Sequence, residues 1–269
     1  MSITTGDDRL DARFAFLDGL VSLARALGDE SRRYVILGEG NVSARVDDAS
    51  FFIKASGASM ATATVQSLVQ VDLGRVLALV TTLQGDDAAT ATALQEAVVA
   101  PETTLRPSVE TGMHAILLAK TGKSWIAHTH PPAITGVLCS HNAEALVAGA
   151  LFPDQVVVCG EHPLLLPYVD PGVPLARALA EGMDRHLDRY GLPPKAIYLQ
   201  NHGFVAVGGT AVEALAITDM AVKAALVLSG AFGAGGPSYL PASESSRIAG
   251  RLDEHYRQRV LGLTQSNGS

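Results

Sequence analysis

From residue 10 to residue 27 the apolar positions Leu10, Phe14, Leu17, Leu20, Val21, Ala24 and Leu27 recur at three- and four-residue intervals, which predicts an opening amphipathic helix over 8–28. The stretch RRYVILGEGNVSARVDDASFFIKASGASM then changes period and reads as short strands punctuated by Gly, Asp and Ser, with Asp47 and Asp48 as a hairpin turn. SLVQVDLGRVLALV predicts a strand with flanking turns, and DDAATATALQEAVVA a helix capped by Asp86 or Asp87. PSVETGMHAILLAK predicts a helix with Ser108 as N-cap, Glu110 in the first turn and Lys120 at the far end. SWIAHTH reads as a strand and PPAITGVLCS as a helix opened by proline. DQVVVCG is predicted to be a strand, PLARALAEGMDRHLDRYG a helix ending at Gly191, and KAIYLQNHGFVAVGG two strands turning at Asn-His-Gly. A long helix over TAVEALAITDMAVKAALVLSG and a last one over SESSRIAGRLDEHYRQRVLG follow, with a frayed tail at about 263–269.

This order mixes helices and strands without a repeated βαβ unit, so the class is α/β with a sheet layered between helices, in a single domain over 1–269. GEGNVS lacks the third glycine of a dinucleotide fingerprint and opens no long helix.

Composition narrows the function. A formal charge of −7 argues against a nucleic-acid surface, while leaving room for a local anion site built from backbone N–H groups. Cys139 and Cys159 make no disulfide framework and fit a reducing compartment. The first residues lack a basic region followed by an apolar run, and Glu213, Asp219 and Lys223 interrupt the most apolar stretch, so neither a secretory signal nor a membrane span of about 20 residues is expected. Together these predict a cytoplasmic location.

The candidate chemistry lies in AHTHPPA. Residues two apart on a strand share a face, so His128 and His130 project together, and the prolines after them end the strand. Such a pair is a candidate metal site or two ordinary histidines at a strand end. A metal needs a third ligand, and His202, in the Asn-His-Gly turn, is the natural candidate, with Gly203 allowing a sharp turn. Glu110 serves either as dipole complement at a helix start or as a carboxylate beside the metal. His114, four residues on, could orient it or be a surface neighbour. His141, His162, His186 and His255 form no constellation.

Taken in order, GEGNVSAR, IKASGASM, PSVETGMHA, AHTHPPA and NHGFVAVG resemble the class II aldolase/adducin family over about residues 10–230. The resemblance implies a three-layer α/β/α fold with a central mixed, largely antiparallel sheet. It implies zinc held by His128, His130 and His202, with Glu110 as further ligand or proton carrier. It also implies substrate phosphate at Gly40 and Asn41, at Ser56 and Gly57, and at Ser108. Val109 stands where the family carries a second serine, so one hydroxyl donor is missing.

The resemblance further implies a small-molecule substrate, a homotetramer with sites at subunit contacts, and a tyrosine near the chain end as acid; Tyr239 and Tyr256 both meet that description. The expected activity is that of a zinc-dependent aldolase cleaving a sugar phosphate or related hydroxy-ketone through an enediolate, which a dication stabilises as a Lewis acid. The proton-carrying Glu110 would then have its pKa raised by burial and balanced by the metal. A decarboxylase, dehydratase or 4-epimerase on the same scaffold is the enzymatic alternative, and a non-catalytic adducin-like interaction protein the third.

Overall fold

The computed structural model describes residues 6–84, 87–100, 103–251, 260 and 262, with side chains from residue 15 onward. The opening helix α1 spans Gly6–Leu27 and buries Leu17, Leu20, Val21, Ala24 and Leu27, as its periodicity requires. Strands β1 (Asn41–Arg45) and β2 (Ser50–Lys54) form the expected hairpin. Its turn is held by the Asp47 carboxylate, which accepts the backbone N–H groups of Ala49 and Ser50 at 2.9 and 2.7 Å.

The segment expected to be one strand divides at Asp72. Residues Leu68–Asp72 are β3, and Leu73–Thr82 form helix α2. Asp72 caps that helix by accepting Arg75 N–H at 2.8 Å, and Leu73, Val76, Leu79 and Val80 then recur at helical spacing on its buried face. Helix α3 (Asp87–Glu96) follows; Asp86 lies outside the described residues.

Helix α4 is Thr111–Thr121, with Glu110 rather than Ser108 at its N-cap, and β4 is Trp125–Thr129. Helix α5 (Pro132–Leu138) is opened by proline as expected. DQVVVC is a helix, not a strand: α6 spans Pro153–Cys159, with Pro153 in its first turn and Val156 and Val157 buried against Ile248. Tertiary packing here overrides β-branched propensity. The short strand β5 (Leu164–Leu166) was not expected.

Helix α7 (Val173–Tyr190) ends at Gly191 in the left-handed region, and β6 (Ala196–Leu199) and β7 (Gly203–Gly208) turn at Gln200–His202. Helix α8 (Ala211–Gly233) is capped by Thr210, and α9 covers Ala242–Ala249. The remainder of the expected last helix lies mostly outside the described residues, as do His255, Tyr256 and the tail from 263.

Among the described residues seven strands make one sheet, in the order β3-β2-β1-β4-β7-β6-β5, antiparallel throughout except for the β5–β6 pair. One face packs on α1, α5 and α8, and the other on α2, α4 and α7. This is the expected α/β/α sandwich with a mixed, largely antiparallel sheet. Strand alternation places Ile126 in the α2/α4/α7 core, and His128 two residues on shares that face, where α4 begins with Glu110. None of the described helices is long and apolar enough to cross a membrane.

Candidate metal centre

Three elements supply the imidazoles. His128 is on β4, His130 just beyond its end, and His202 in the turn between β6 and β7. One nitrogen from each gives a set lying within 4.8 Å of one another. Asn201 takes the left-handed conformation in that turn (φ 54°), so the turn's strain falls on Asn201 and not on Gly203. Gly203 is needed for space instead. A Cβ there would sit 2.4 Å from His130 Cδ2, 2.7 Å from the Thr129 carbonyl oxygen and 3.2 Å from His128 Cε1.

Hydrogen bonding sets the tautomer of His128. Its Nδ1 lies 3.0 Å from the Phe204 carbonyl oxygen, which can only accept. The ring hydrogen is therefore on Nδ1, and Nε2 presents a lone pair. That lone pair faces His130 Nε2 at 3.0 Å and Glu110 Oε2 at 3.4 Å. His202 Nε2 is 3.2 Å from Glu110 Oε1, without the alignment of a hydrogen bond. Both Glu110 Oε1 and His202 Nδ1 are buried and have no hydrogen-bond partner among the described residues. Lone pairs and a carboxylate directed at one another require a positive charge between them, a proton or a metal ion. Three imidazoles with one carboxylate alongside is a donor set that suits a divalent metal.

Glu110 is the N-cap of α4, yet its side chain does not cap the helix. It turns inward, with the residue only 7% exposed, and Oε2 accepts from Asn41 Nδ2 at 2.8 Å. With its amide nitrogen facing Glu110, Asn41 presents Oδ1 to His114 Nε2, and His114 Nδ1 meets Ser43 Oγ at 2.6 Å. Since Oδ1 can only accept, the donors run in one direction: Ser43 hydroxyl to His114, His114 to Asn41, Asn41 to Glu110. His114 is thus a fully buried partner of Asn41 and not a surface neighbour; its ring reaches the Glu110 carboxylate through Asn41, while its backbone N–H donates to the Glu110 carbonyl at 3.3 Å.

Burial pushes the Glu110 carboxyl up, as expected from the sequence, but the opposing pull of His128, His202 and the Asn41 amide is larger, and the net shift is downward. Burial drives His128 down to about 3 against the pull of Glu110, so His128 is itself neutral at pH 7. The ionised state of Glu110 therefore rests on the Asn41 amide and on a cation at the centre. His114 is likewise lowered by burial to about 4.

The residues expected to bind phosphate divide into engaged and open groups. Asn41 is 3% exposed and its amide already serves Glu110 and Ser108 Oγ (3.2 Å). Ser108 is buried, and its oxygen also accepts Glu110 N–H at 3.3 Å. The Ser56 N–H is taken by the Arg106 carbonyl at 2.9 Å. Gly40, at φ +69°, approaches the His128 carbonyl so closely that a Cβ would lie 2.9 Å from it. The Ser56–Gly57 turn is exposed, and Gly57 borders a cavity of about 520 Å³ that Arg33 and Ser59 also line. Lys54, buried beneath this turn, donates to the carbonyls of Gly38, Ala55 and Ala58, and burial lowers it to about 8.

Tyr239, a candidate acid, donates its hydroxyl to the Ala145 carbonyl at 2.9 Å. Two residues escaped the sequence reading. Glu39, flanked by glycines in GEGN, lies 3.2 Å from His130 Nδ1. Tyr168 is 54% exposed on the loop leaving β5, at the same end of the sheet as His202, with its hydroxyl 2.8 Å from Asp170.

Comparison with known proteins agrees with this geometry. The family model for the Class II Aldolase and Adducin N-terminal domain matches residues 18–228. The "Uncharacterized oxidoreductase YuxG" of Bacillus subtilis is 27% identical over 64% of this chain, which spans only 24% of that protein's length. The 3-oxo-tetronate 4-phosphate decarboxylase of Haemophilus influenzae is 27% identical over 74% of this chain and 80% of its own. Among solved structures, an L-fuculose 1-phosphate aldolase covers 95% of this chain and 98% of its own at 20% identity and a TM-score of 0.66. YgbL from Escherichia coli, described as a putative aldolase/epimerase/decarboxylase, covers 88% and 99% at 19% identity, also with a TM-score of 0.66. With the match running through both halves of the sheet and through all three clustered histidines, the chain belongs to the class II aldolase/adducin family.

Proposed function

We propose that this protein is a zinc-dependent carbon–carbon lyase, an aldolase acting on a sugar phosphate or a related hydroxy-ketone. The observation that carries the reading is the convergence of His128, His130 and His202 on one point, with both Glu110 oxygens within 3.4 Å of an imidazole nitrogen. Zinc held by His128, His130 and His202 would supply the Lewis acid that stabilises negative charge on adjacent substrate oxygens.

The chain's own groups divide the remaining work. Asn41 holds Glu110 Oε2, which leaves Oε1, without a hydrogen-bond partner, to take and return a proton. In cleavage the bond between the α and β carbons of the ketone breaks. The β carbon leaves as an aldehyde, its hydroxyl proton passing to the Glu110 carboxylate, and the electron pair remains on the ketone fragment as an enediolate. Glu110 then delivers a proton to the α carbon. The Ser56–Gly57 turn and Arg33 border a cavity suited to the distal, anionic end of such a substrate, and the missing hydroxyl at Val109 weakens that end's hold.

A second reading is decarboxylation, with carbon dioxide leaving in place of the aldehyde. It is favoured by the 27% identity to a 3-oxo-tetronate 4-phosphate decarboxylase. The same enediolate chemistry serves a dehydratase or 4-epimerase. A cytoplasmic homotetramer completes the proposal. Incubating the zinc-loaded protein with candidate hydroxy-ketone phosphates and β-keto acids, while following both dihydroxyacetone phosphate and carbon dioxide, separates the readings. Release of neither from any candidate would count against a lyase.

A further inference from the structure

His128 and His130 each need one ring nitrogen free of hydrogen if they are to bind a metal. For His128 the Phe204 carbonyl achieves this. His130 has a different partner. Its Nδ1 lies 3.2 Å from Glu39 Oε2, and the other oxygen of that carboxylate accepts the backbone N–H of Ile36 at 2.7 Å. If His130 binds the metal through Nε2, the atom 3.0 Å from His128 Nε2, its ring hydrogen is on Nδ1, and the Glu39 carboxylate 3.2 Å away faces it as an acceptor.

We propose that Glu39 is the outer carboxylate of the metal centre, a positioning residue that faces the Nδ1 side of metal-bound His130 and joins that ligand to the loop at 33–37. The proposal rests on the metal reading above. The loop is an unusual one. Arg33 and Leu37 both take left-handed backbone (φ 55° and 53°), and Ile36 and Leu37 are 62% and 87% exposed. Its two attachments to the histidine are the Tyr34 carbonyl, which accepts His130 N–H at 2.8 Å, and Glu39. A single carboxylate thereby spans the strained loop, whose Ile36 N–H it accepts, and the metal ligand, which it approaches at 3.2 Å.

Neither a neutral isostere nor a truncation can replace it. Glutamine has one acceptor atom, so its NH2 must face either the Ile36 N–H or His130 Nδ1. In the second case the histidine is drawn to the tautomer with hydrogen on Nε2, the one that cannot bind metal. Alanine removes both contacts.

The test combines zinc affinity with the state of the ring. Zinc dissociation constants are measured by chelator competition for the wild type, Glu39→Ala and Glu39→Gln. A control, Glu30→Ala, removes a charge at an exposed neighbouring position. The His130 Nδ1–H is followed by 15N NMR on the zinc-saturated protein. We expect zinc binding to weaken by about 10- to 100-fold in both Glu39 variants and to be unchanged in Glu30→Ala. We also expect the His130 Nδ1–H signal to be lost to exchange with solvent in Glu39→Ala. Thermal unfolding of each metal-free variant shows that the comparison is between folded proteins, and Glu39→Gln stands in if Glu39→Ala does not fold. A wild type that binds zinc, with either Glu39 variant binding it equally well or Glu39→Ala keeping the Nδ1–H signal, overturns this proposal alone. A wild type that binds no zinc overturns the metal reading and this proposal with it.

Discussion

His128 donates its Nδ1–H to the carbonyl oxygen of Phe204 at 3.0 Å, across the register in which β4 pairs with β7. The bond ties the ring's tautomer to the sheet itself, because moving it would require β7 to shift against β4. On the other side, His128 is paired with Asn41 of β1. The central ligand and the residue that holds Glu110 are thus neighbours in one rigid layer, and their placement follows from strand pairing, while His130 and His202 come from the turns beside it.

Glu110→Gln should retain metal and lose turnover. The amide keeps the shape of the carboxylate but cannot accept a proton, and general acid–base loss typically costs about 10²- to 10⁴-fold. Steady-state rates beside metal content check this; a wild-type rate would remove Glu110 from the mechanism.

Asn41→Ala leaves Glu110 Oε2 buried without its amide donor and His114 Nε2 without its acceptor. The Glu110 carboxyl should rise, and the acid limb of the pH–rate profile should move to higher pH. Stability should fall by about 1–3 kcal/mol for the unpartnered buried groups. His114→Ala should move the limb in the same direction by a smaller amount, since Asn41 remains in place.

Gly203→Ala should be far more damaging than an added methyl suggests. A Cβ at 2.4 Å from His130 Cδ2 and 2.7 Å from the Thr129 carbonyl must displace a ligand or the end of β4. The expected cost is about 1–3 kcal/mol of stability, together with loss of metal affinity. Zinc competition and denaturant unfolding report the two effects separately.

The metal-free protein should lose stability as the pH falls below neutrality. Burial holds His114 down to about 4 and His128 down to about 3, against the ordinary histidine value of 6.5. Below pH 6.5 the unfolded chain takes up protons that the folded one refuses, so stability is full above that pH and declines toward pH 4. The loss from His114 alone is on the order of 3 kcal/mol. Urea midpoints between pH 7 and pH 4 check the slope, and His114→Gln should reduce it.

Much of this was legible in the sequence because it depends on short-range rules. The spacing in AHTHPP puts two imidazoles on one strand face and ends the strand, and the ring centroids of His128 and His130 are indeed 4.7 Å apart. The hairpin at Asp47 and the long helix after Thr210 carry their own turn and cap chemistry. What was hidden depends on contacts between distant segments. Asn41 was expected to bind phosphate, and only β1–β4 pairing shows it beside His128 and holding Glu110. Glu39 looked like part of a failed glycine fingerprint, and its role appears only once the loop at 33–37 lies against His130. Three consecutive valines in DQVVVC argue for a strand, and the packing of α6 on α8 and α9 prevails. The downward shift of Glu110 was missed for the same reason, since burial was readable and the partners that outweigh it were not.

Zinc stoichiometry tests the account most directly. Protein prepared with zinc and passed over a desalting column is assayed for metal by elemental analysis, alongside His128→Ala, His130→Ala and His202→Ala. The account predicts one zinc per chain in the wild type and its loss in each of the three variants. Bound zinc that survives in all three, or a wild type that holds none, would contradict it.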